Sequence, residues 1–579
     1  MPFFRICNRA FSSSPLLAAF RSFGRLLLDL PVSFFGAIYF SFGLFCVLID
    51  LLRSSMTGGT LSFSGTVGFG AAVMLCSSAL FLSQSPLGNA LAEGKCTGFL
   101  LTGVFGFRRE RLAPKNERHP KAAIPLLTGL LFALAALRLA PTVILLLPLF
   151  AGGTVMVLLS PEAGVLLLLG LFPFLSTMQT AGLLIFTFFS FFCKLIQGKR
   201  SMKFEAADIT VVGFLLILFV GGFTAARPEL SLRPALMFTA LMTGYFLTVN
   251  LLRTRRQIGY AAGIVSVSAA VVSLLGILEY LLGSAKPDWL DLSLFPDIAG
   301  RVTATFSNPN VLGEYLVMVI PFLLLPLLTG KSAGTRLLGI VMTGLGIVCL
   351  VFTWSRGAWL GFLVGTVLLL LLNGKTGSSL LIGGLVLSPV LAVFLPSAVT
   401  SRLLSIGNIA DTSTSYRVGI WKNCFSMLGD WWYSGFGTGC PAFASLFPIY
   451  SGRVPAEHAH SLYLEILLEH GIFGLLLFLA VLVLAAKSFF SFYREKTGTS
   501  SSGLKTASVL SFVGIVSFLV QGLTDYTFYN YRIFCFFWML LALNAACRRA
   551  AAAERTEIRP EGVYLTIPLT ERKPKRNEQ

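Results

Sequence analysis

The sequence predicts an all-α polytopic membrane protein, and three observations support this fold class. Of the 579 residues, 55% are hydrophobic and only 12% are charged, whereas soluble proteins carry roughly 25% charged residues. The 52 phenylalanines are spread along the whole chain, which excludes a soluble enzyme with a single membrane anchor. The apolar stretches are continuous rather than alternating, a pattern typical of membrane-spanning helices and not of a transmembrane barrel.

Sixteen apolar stretches are long enough to cross roughly 30 Å of hydrocarbon as helices. In chain order they are residues 33–52, 64–84, 122–139, 141–159, 162–178, 181–197, 207–226, 235–252, 258–282, 310–329, 336–353, 358–372, 378–396, 463–486, 506–524 and 530–547. The fifth and the twelfth are short, so we expect about 14 to 16 transmembrane helices.

The positions of the basic residues predict the orientation of these spans. With both termini in the cytoplasm, the cytoplasmic segments and the adjoining helix ends hold 33 of the 45 Lys and Arg residues. This distribution follows the positive-inside rule, and it explains most of the formal net charge of +19 without a nucleic-acid partner. We therefore expect a multi-pass protein of the cell (inner or plasma) membrane, surrounded by the lipid bilayer.

Two long polar segments interrupt the spans and divide the chain. Both lie on the outer side in this orientation, so together they can build one site, and long patterned loops are more often functional than simple connectors. The predicted organisation is an N-terminal transmembrane region 1–282, a first outer loop 283–309, central transmembrane helices 310–396, a large outer loop 397–462 with short amphipathic helices, C-terminal transmembrane helices 463–547 and a charged cytoplasmic tail 548–579.

The motifs in and around these loops follow one another in a recognisable order. His460-Ser461 is followed after nine residues by Gly471 and, after two more, by Gly474. The upstream motifs are RVTATFSNPN over 301–310, Ser355-Arg356-Gly357, Tyr416-Arg417 with Trp421, and Gly435-Phe436-Gly437-Thr438-Gly439. In type and order these motifs resemble the signature of the O-antigen ligase and Wzy-type polymerase superfamily, over about residues 297–490.

The resemblance implies an enzyme of cell-envelope polysaccharide synthesis, a glycosyltransferase of the O-antigen ligase or polymerase type. It would transfer a glycan from a polyprenyl-diphosphate donor to an acceptor hydroxyl at the outer face of the membrane, with inversion and without a metal or another cofactor. The acceptor would be a glycan, a lipid or a protein, and ligation and polymerisation stay open as alternatives. The implied catalytic residues are His460, Arg417 and Arg301, and 397–462 would be the catalytic loop.

These residue types suit the implied chemistry. A diphosphate leaving group gains negative charge as the glycosidic bond breaks, and guanidinium groups bind such oxygens bidentately while they stay charged. Histidine titrates near neutral pH, so His460 can take the proton of the attacking hydroxyl or help to hold the diphosphate. The competing interpretation of His460 is an interfacial histidine bonded to the backbone, and that of Arg301 and Arg417 is a snorkelling arginine.

Four further residues are candidates for substrate binding. Arg356 follows a Trp-Ser pair at a helix end, where membrane anchoring is the competing role. Glu314 is an intramembrane carboxylate that could pair with Arg301 or Arg356. Asn310 stands where a span begins, and asparagine commonly caps a helix there. His458 could equally be a solvated loop residue.

Residues 460–470 have the pattern of a short amphipathic helix that begins at the motif histidine. Its leucines lie on one side, and Glu465 and Glu469 lie on another. Gly471 and Gly474 then permit a change of direction or close packing where the next span begins.

A transporter or flippase for lipid-linked oligosaccharides is the alternative function. Such a protein would need charged residues distributed through the membrane interior and pseudo-symmetric halves. Here the polar motifs cluster in two loops on one side, so the enzyme is the favoured hypothesis.

Overall fold

A computed structural model describes residues 15–56, 65–116, 118, 120–283, 300–393, 396–405, 412–452, 455–495 and 502–556, and the structural statements below concern these residues. Most of the first outer loop, over 284–299, lies outside the described residues, as do 406–411 and 453–454 of the second. Residues 557–579 of the tail are also outside them, so the predictions for these segments stay predictions.

The all-α prediction is confirmed, because the described residues form helices joined by turns and contain no β-strand. In an apolar chain, helices pair the backbone polar groups internally, which lipid requires. The α-helices in chain order are α1 (Pro15–Asp29), α2 (Val32–Met56), α3 (Gly65–Ser78), α4 (Leu87–Glu93), α5 (Lys95–Gly98), α6 (Arg109–Leu112), α7 (Ala123–Ala135), α8 (Pro141–Leu159), α9 (Pro161–Leu171), α10 (Thr177–Ile196), α11 (Ala206–Phe223), α12 (Pro228–Leu251), α13 (Arg255–Leu281), α14 (Pro309–Leu323), α15 (Leu325–Thr329), α16 (Ala333–Phe352), α17 (Arg356–Leu372), α18 (Gly374–Val393), α19 (Ser397–Leu404), α20 (Thr412–Trp431), α21 (Cys440–Tyr450), α22 (Leu462–Arg494), α23 (Ser502–Gln521) and α24 (Tyr531–Thr556).

Within the described ranges, 11 helical segments are long and apolar enough to cross a membrane: α2, α8, α10, α11, α12, α13, α14 continued by α15, α16, α22, α23 and α24. The shorter apolar helical segments are Thr66–Leu82, Ala123–Ala135, Pro161–Phe174, Arg356–Leu372 and Cys440–Tyr450. The short predicted spans 162–178 and 358–372 correspond to two of these segments. The helices are those of a multi-pass membrane protein, as the hydropathy predicts.

The chain forms two compact units, of which the first contains Met1–Ala163 and Ile196–Lys199. Its hydrophobic core consists of buried side chains from α2, α3, α7 and α8, namely Phe42, Cys46, Val73, Ala133 and Ile144. The motifs that predict a function are all outside this unit.

The second unit contains Gly164–Leu195 and Arg200–Gln579 and holds every candidate site residue. Its spans α12, α14 and α24 are mostly buried, whereas α22 is buried over a smaller part of its length. α24 packs against α12 and α23, and α23 also packs against α14 and α17. A set of helices buried by one another gives the site rigid supports.

The candidate site forms where α14, α17 and α22 begin and α23 ends. The Gln521 side-chain Nε2 donates to the Asn310 carbonyl oxygen at 3.4 Å, which joins the end of α23 to the start of α14. The Leu462 N–H donates to the Gly522 carbonyl oxygen at 2.8 Å, which joins the start of α22 to the same place. Residues far apart in the chain therefore meet at one end of the helices.

Candidate active site

A single carboxylate joins two of the predicted catalytic residues. The Asp525 Oδ1 atom lies 3.2 Å from His460 Nδ1, and Asp525 Oδ2 lies 3.6 Å from Arg417 Nη2. Arg417 Nη1 also donates to the carbonyl oxygen of Thr524 at 2.6 Å. The turn that follows α23 thus brings the motif histidine and the arginine of the Tyr-Arg motif to one point.

The environment keeps Asp525 ionised. Burial alone would raise the pKa of this carboxyl, but the Arg417 guanidinium and, next, the hydrogen bond with His460 lower it well below its usual range. An ionised Asp525 favours an N–H on His460 Nδ1, and the opposite ring atom Nε2 makes no hydrogen bond to any described residue. This arrangement leaves Nε2 as the proton acceptor of a neutral imidazole.

His458 belongs to the site as a neighbour of His460. Its Nδ1 accepts the His460 backbone N–H at 3.2 Å, and the two ring centroids are 4.2 Å apart. Burial and the neighbouring His460 lower the pKa of His458 to about 3. His458 is therefore neutral in the physiological range, and it orients the backbone of His460 instead of sharing its proton chemistry.

Arg301 and Asn310 form one unit at the start of α14. Arg301 Nη2 donates to Asn310 Oδ1 at 2.7 Å, and Arg301 Nε donates to the Thr353 carbonyl oxygen at 2.6 Å. Asn308 is the residue that caps α14, since its Oδ1 accepts the Asn310 N–H at 2.8 Å. The side chain of Asn310, which could have been a cap, orients Arg301 instead.

Arg301 is buried among cations. Burial, followed by the charges of Arg402 and Arg417, lowers the pKa of Arg301 to about 9, so the guanidinium stays protonated at neutral pH. Arg356 also contributes to this positive field. Several guanidinium groups close together favour a bound anion, and phosphate oxygens are their best partners.

Arg356 is held at the first position of α17, directly after the helix cap Ser355. Its Nη1 donates to the carbonyl oxygen of Ser405 at 3.3 Å and to the Ser405 hydroxyl oxygen at 3.2 Å. The large outer loop therefore fixes this guanidinium, which supports a site role over simple membrane anchoring.

Glu314 is buried on α14, with 2% of its surface exposed. Within the described part of the chain it forms no ion pair with Arg301 or Arg356, and its Oε2 has no hydrogen-bond partner. Arg301 instead donates to Asn310 Oδ1 and to the Thr353 carbonyl oxygen. The ion pair of Glu314 with Arg301 or Arg356, which the sequence suggested, is therefore not formed.

Backbone strain concentrates in the site motifs. The described non-glycine residues with positive φ are Ala304 (47°), Ser307 (58°), Trp354 (52°) and His460 (48°). All four lie in the RVTATFSNPN, Trp-Ser-Arg-Gly or His-Ser motifs. Such conformations persist only where the surroundings hold them, and they cluster at functional sites.

The short helix predicted after His460 is present, but burial does not follow its amphipathic pattern. Ser461 stands at the N-cap position of α22 without a side-chain capping hydrogen bond, and Gly471 (φ 64°, ψ −172°) breaks the helix as expected. Glu465 and Glu469 are buried instead of facing solvent, because they accept backbone N–H groups of two site loops, those of Ala459 and Gly439. The carboxylates are structural acceptors that hold the loops.

The motif glycines allow two backbone segments to touch. A Cβ atom at Gly471 would overlap the carbonyl oxygen of Tyr433, and one at Gly474 would overlap the side chain of His470. The Ile472 N–H donates to the Trp432 carbonyl oxygen at 2.8 Å. The spacing between the histidine and the glycines thus sets where α22 turns from the site into its long span.

Sequence reasoning missed Asp525. The residue lies in the short connection between the predicted spans 506–524 and 530–547, on the same side as the two long loops. An acidic residue there was the available signal, but no motif or spacing links it to His460, 65 residues away.

His458, His460 and Asp525 offer ligand atoms within 4.8 Å of one another, so their spacing alone would permit a metal ion. The guanidinium of Arg417 occupies the other oxygen of Asp525, and Arg301 is near. These donors could bind a cation, but the positive charges of the two neighbouring guanidinium groups oppose one in this position.

Comparison with known proteins agrees with the motifs. Residues 341–479 match the family model described as O-antigen ligase, which confirms the resemblance over that segment. No curated protein matches the chain. The match supports a glycan-transferring, ligase-type function in a membrane, with a lipid-linked glycan and an acceptor as the partners that the family implies. It includes Arg356, Arg417 and His460, whereas Arg301 and Asp525 lie outside it and reach the site through the fold.

Proposed function

We propose that the protein is a membrane glycosyltransferase that transfers or polymerises a glycan from a polyprenyl-diphosphate donor onto an acceptor hydroxyl. The observation that carries the proposal is the Asp525 carboxylate, which lies 3.2 Å from a histidine and 3.6 Å from an arginine. A proton acceptor and an anion-binding group are thus held beside each other, as this reaction requires.

The arginines act on the donor. As the bond between the anomeric carbon and the phosphate oxygen breaks, its electron pair stays with the diphosphate. Arg417 and Arg301 stabilise that charge, and Arg356 extends the positive field. Guanidinium groups supply this stabilisation without a metal ion, and the positive surroundings of Asp525 support a metal-independent reaction.

His460 acts on the acceptor. Its Nε2 takes the proton of the acceptor hydroxyl while the hydroxyl oxygen attacks the anomeric carbon from the face opposite the diphosphate. One displacement of this kind inverts the configuration, and the new glycosidic bond replaces the bond to phosphate. Asp525 stabilises the imidazolium that forms, in the way that a carboxylate supports a histidine base in other enzymes.

The remaining candidates have supporting roles. Asn310 orients Arg301, and His458 holds the backbone of His460. Glu314 offers a buried oxygen without a partner among the described residues, and we assign it to the binding of a substrate hydroxyl. Ser461 precedes the first residue of the helix, Gly471 breaks it, and Gly474 lies close to the His470 side chain.

The proposed location is the outer face of the cell membrane. The site lies at the end of the helices where the sequence predicts both long polar loops, and most basic residues are predicted at the other end. A reporter fused to the C-terminus that is active only in the cytoplasm tests this orientation, and an inactive fusion in a stable protein would contradict it.

The first prediction concerns the two groups that Asp525 joins. In a host that needs this protein for a surface glycan, H460A and R417A are expected to reduce transfer by at least about 100-fold. D525N should also reduce it, because a neutral amide no longer holds His460 and Arg417 by charge. Glycan display and the amount of protein in the membrane are measured together.

Purified protein distinguishes the alternatives. Normal glycan with H460A or R417A at normal protein levels would contradict the catalytic assignment. If His460 is the base, the H460A protein binds a prenyl diphosphate as tightly as the wild type does. If H460A loses this affinity, His460 is a ligand of the diphosphate instead. The enzyme should form product in detergent without a gradient, whereas a flippase would only move the donor. Product length then separates ligation from polymerisation.

A further inference from the structure

The turn before α17 gathers guanidinium groups from separate parts of the chain. The Thr353 carbonyl oxygen accepts from Arg301 Nε at 2.6 Å, and the next carbonyl oxygen, that of Trp354, accepts from Arg402 Nη2 at 3.4 Å. Consecutive carbonyl groups therefore hold Arg301 and Arg402 next to each other. Arg356 follows two residues later, so three arginines meet at one turn.

The attachment of α19 to this turn is reciprocal. Arg402 donates to the carbonyl oxygen of Trp354, while Arg356 donates in return to the carbonyl and hydroxyl oxygens of Ser405 at 3.3 and 3.2 Å. Trp354 has a φ of 52°, a conformation that a tryptophan adopts only when it is held there. The turn is built to keep the arginines in place.

Arg301 lies in a mainly positive field, although the Asp525 carboxylate that pairs with Arg417 also acts on it. In the described structure the hydrogen bonds of Arg301 go to a carbonyl oxygen and an amide oxygen, which satisfy its donors without neutralising it. Arg402 is the charged group that most lowers the pKa of this neighbour, which agrees with their positions on adjacent carbonyls. Like charges held this close repel each other, and a bound anion relieves the repulsion.

We propose that Arg402 binds the donor diphosphate beside Arg301. This inference rests on the proposed function and adds a residue to it. A diphosphate presents two phosphate groups, and one guanidinium can bind two oxygens of a phosphate. Arg301, Arg356, Arg402 and Arg417 together offer guanidinium groups for two phosphates, so a diphosphate would contact more of this set than a monophosphate would.

The test compares two probes and three variants. Farnesyl diphosphate and farnesyl monophosphate are titrated against the full-length protein in detergent, as wild type and as R402A, R402K and R233A. R402A should bind the diphosphate about 10- to 100-fold more weakly, and should lose clearly less affinity for the monophosphate. R402K should show an intermediate loss because lysine keeps the charge without the planar fork.

The control is R233A, which removes an exposed arginine from the start of α12 and should bind both probes as the wild type does. Wild-type binding by R402A, or an equal loss for both probes, would overturn the role of Arg402. If R402A does not elute as a folded protein, R402K decides by the same comparison. A wild-type protein that binds neither probe would instead refute the proposed function.

Discussion

At the residue scale, His458 and His460 show how two identical side chains differ in their hydrogen bonds because their surroundings differ. Asp525 binds His460 at Nδ1, and in the proposed reaction this leaves Nε2 for the substrate, whereas His458 uses its Nδ1 for the His460 backbone N–H. His458 also packs against Tyr526 and Tyr529, at ring distances of 5.7 and 5.1 Å. Burial of the His458 imidazole and the neighbouring His460 both disfavour a positive charge on His458.

A pH dependence of stability follows from His458. The unfolded chain takes up a proton on this histidine near pH 6.5, but the folded protein does so only near pH 3, so acidification favours unfolding. At pH 5 the difference is about 2 kcal/mol before partial solvent exposure reduces it. The unfolding temperature in detergent, measured from pH 7 to pH 5, should fall less for H458Q than for wild type.

Glutamine at this position keeps an acceptor for the His460 N–H but does not titrate, so it is a matched variant. If the unfolding temperatures of H458Q and wild type fall by the same amount from pH 7 to pH 5, the low pKa of His458 is contradicted. Activity near neutral pH should depend little on the protonation of this residue, because it is already neutral there.

At the element scale, the break in α22 determines where the site histidine stands. The first part of the helix is enclosed, with Leu464 and Leu468 packed on the hydrophobic cluster of α20 and α21. Its carboxylates bind the loops that carry Ala459 and Gly439. The first part of α22 therefore connects two loops through its glutamates and is not an amphipathic surface helix. Both glutamates are buried because they accept the backbone N–H groups of these loops.

Replacing Gly471 should disturb the break in α22 and the connection of its first part to the two loops. At a φ of 64° an alanine is strained, and its Cβ would overlap the Tyr433 carbonyl oxygen, so G471A should lose about 2–4 kcal/mol of stability together with activity. The matched control is G263A on α13, where an added methyl group would have no other atom within 4 Å. Unfolding in detergent and glycan transfer are measured for both.

G263A should be neutral or slightly stabilising, since alanine favours a helix more than glycine does. Equal stability of G471A and wild type would show that the close approach of the Tyr433 and Gly471 backbones does not support the fold.

At the scale of the whole molecule, a polar network joins helices at the end opposite the site. Asp208 on α11 is fully buried; it accepts from Arg549 Nη2 on α24 at 2.6 and 2.7 Å and from the Tyr245 hydroxyl on α12 at 2.9 Å. Arg548 pairs with Glu205 beside it. Both arginines were expected to mark the cytoplasmic side, and here they also join the last helix to the start of α11, which Tyr245 joins to α12.

Removing one charge from this network should destabilise the whole second unit. D208N removes the fully buried carboxylate that pairs with Arg549 Nη2 and leaves this arginine with Glu205 alone; breaking a buried ion pair typically costs about 3–5 kcal/mol. E495Q is the control, because its pair with Arg555 is exposed (39% and 48%) and such pairs contribute less than about 1 kcal/mol. Thermal unfolding in detergent compares them; an equal effect of the two changes would contradict a structural role for Asp208.

Much of the fold was predictable because hydropathy is a local property. Each of the 16 predicted apolar stretches falls on a helix, and 11 helical segments in the described ranges have the length and hydropathy of a span. The motif His460-Ser461 with Gly471 indicated both the histidine and the helix break after it. Asp525 and Arg402 could not be selected in this way, because each is one charged residue among many in the outer segments.

The sequence by itself determined the class of the protein, the order of its helices, the expected orientation and the motif that resembles O-antigen ligases. These features depend on composition and on short spacings, which the chain carries without its fold. Only the tertiary structure decided that Asp525 supports His460, that Asn310 orients Arg301 and that Arg402 lies beside it. Such pairings form when helix ends distant in sequence meet, because charge and hydrogen bonding act over a few ångströms of space and not along the chain.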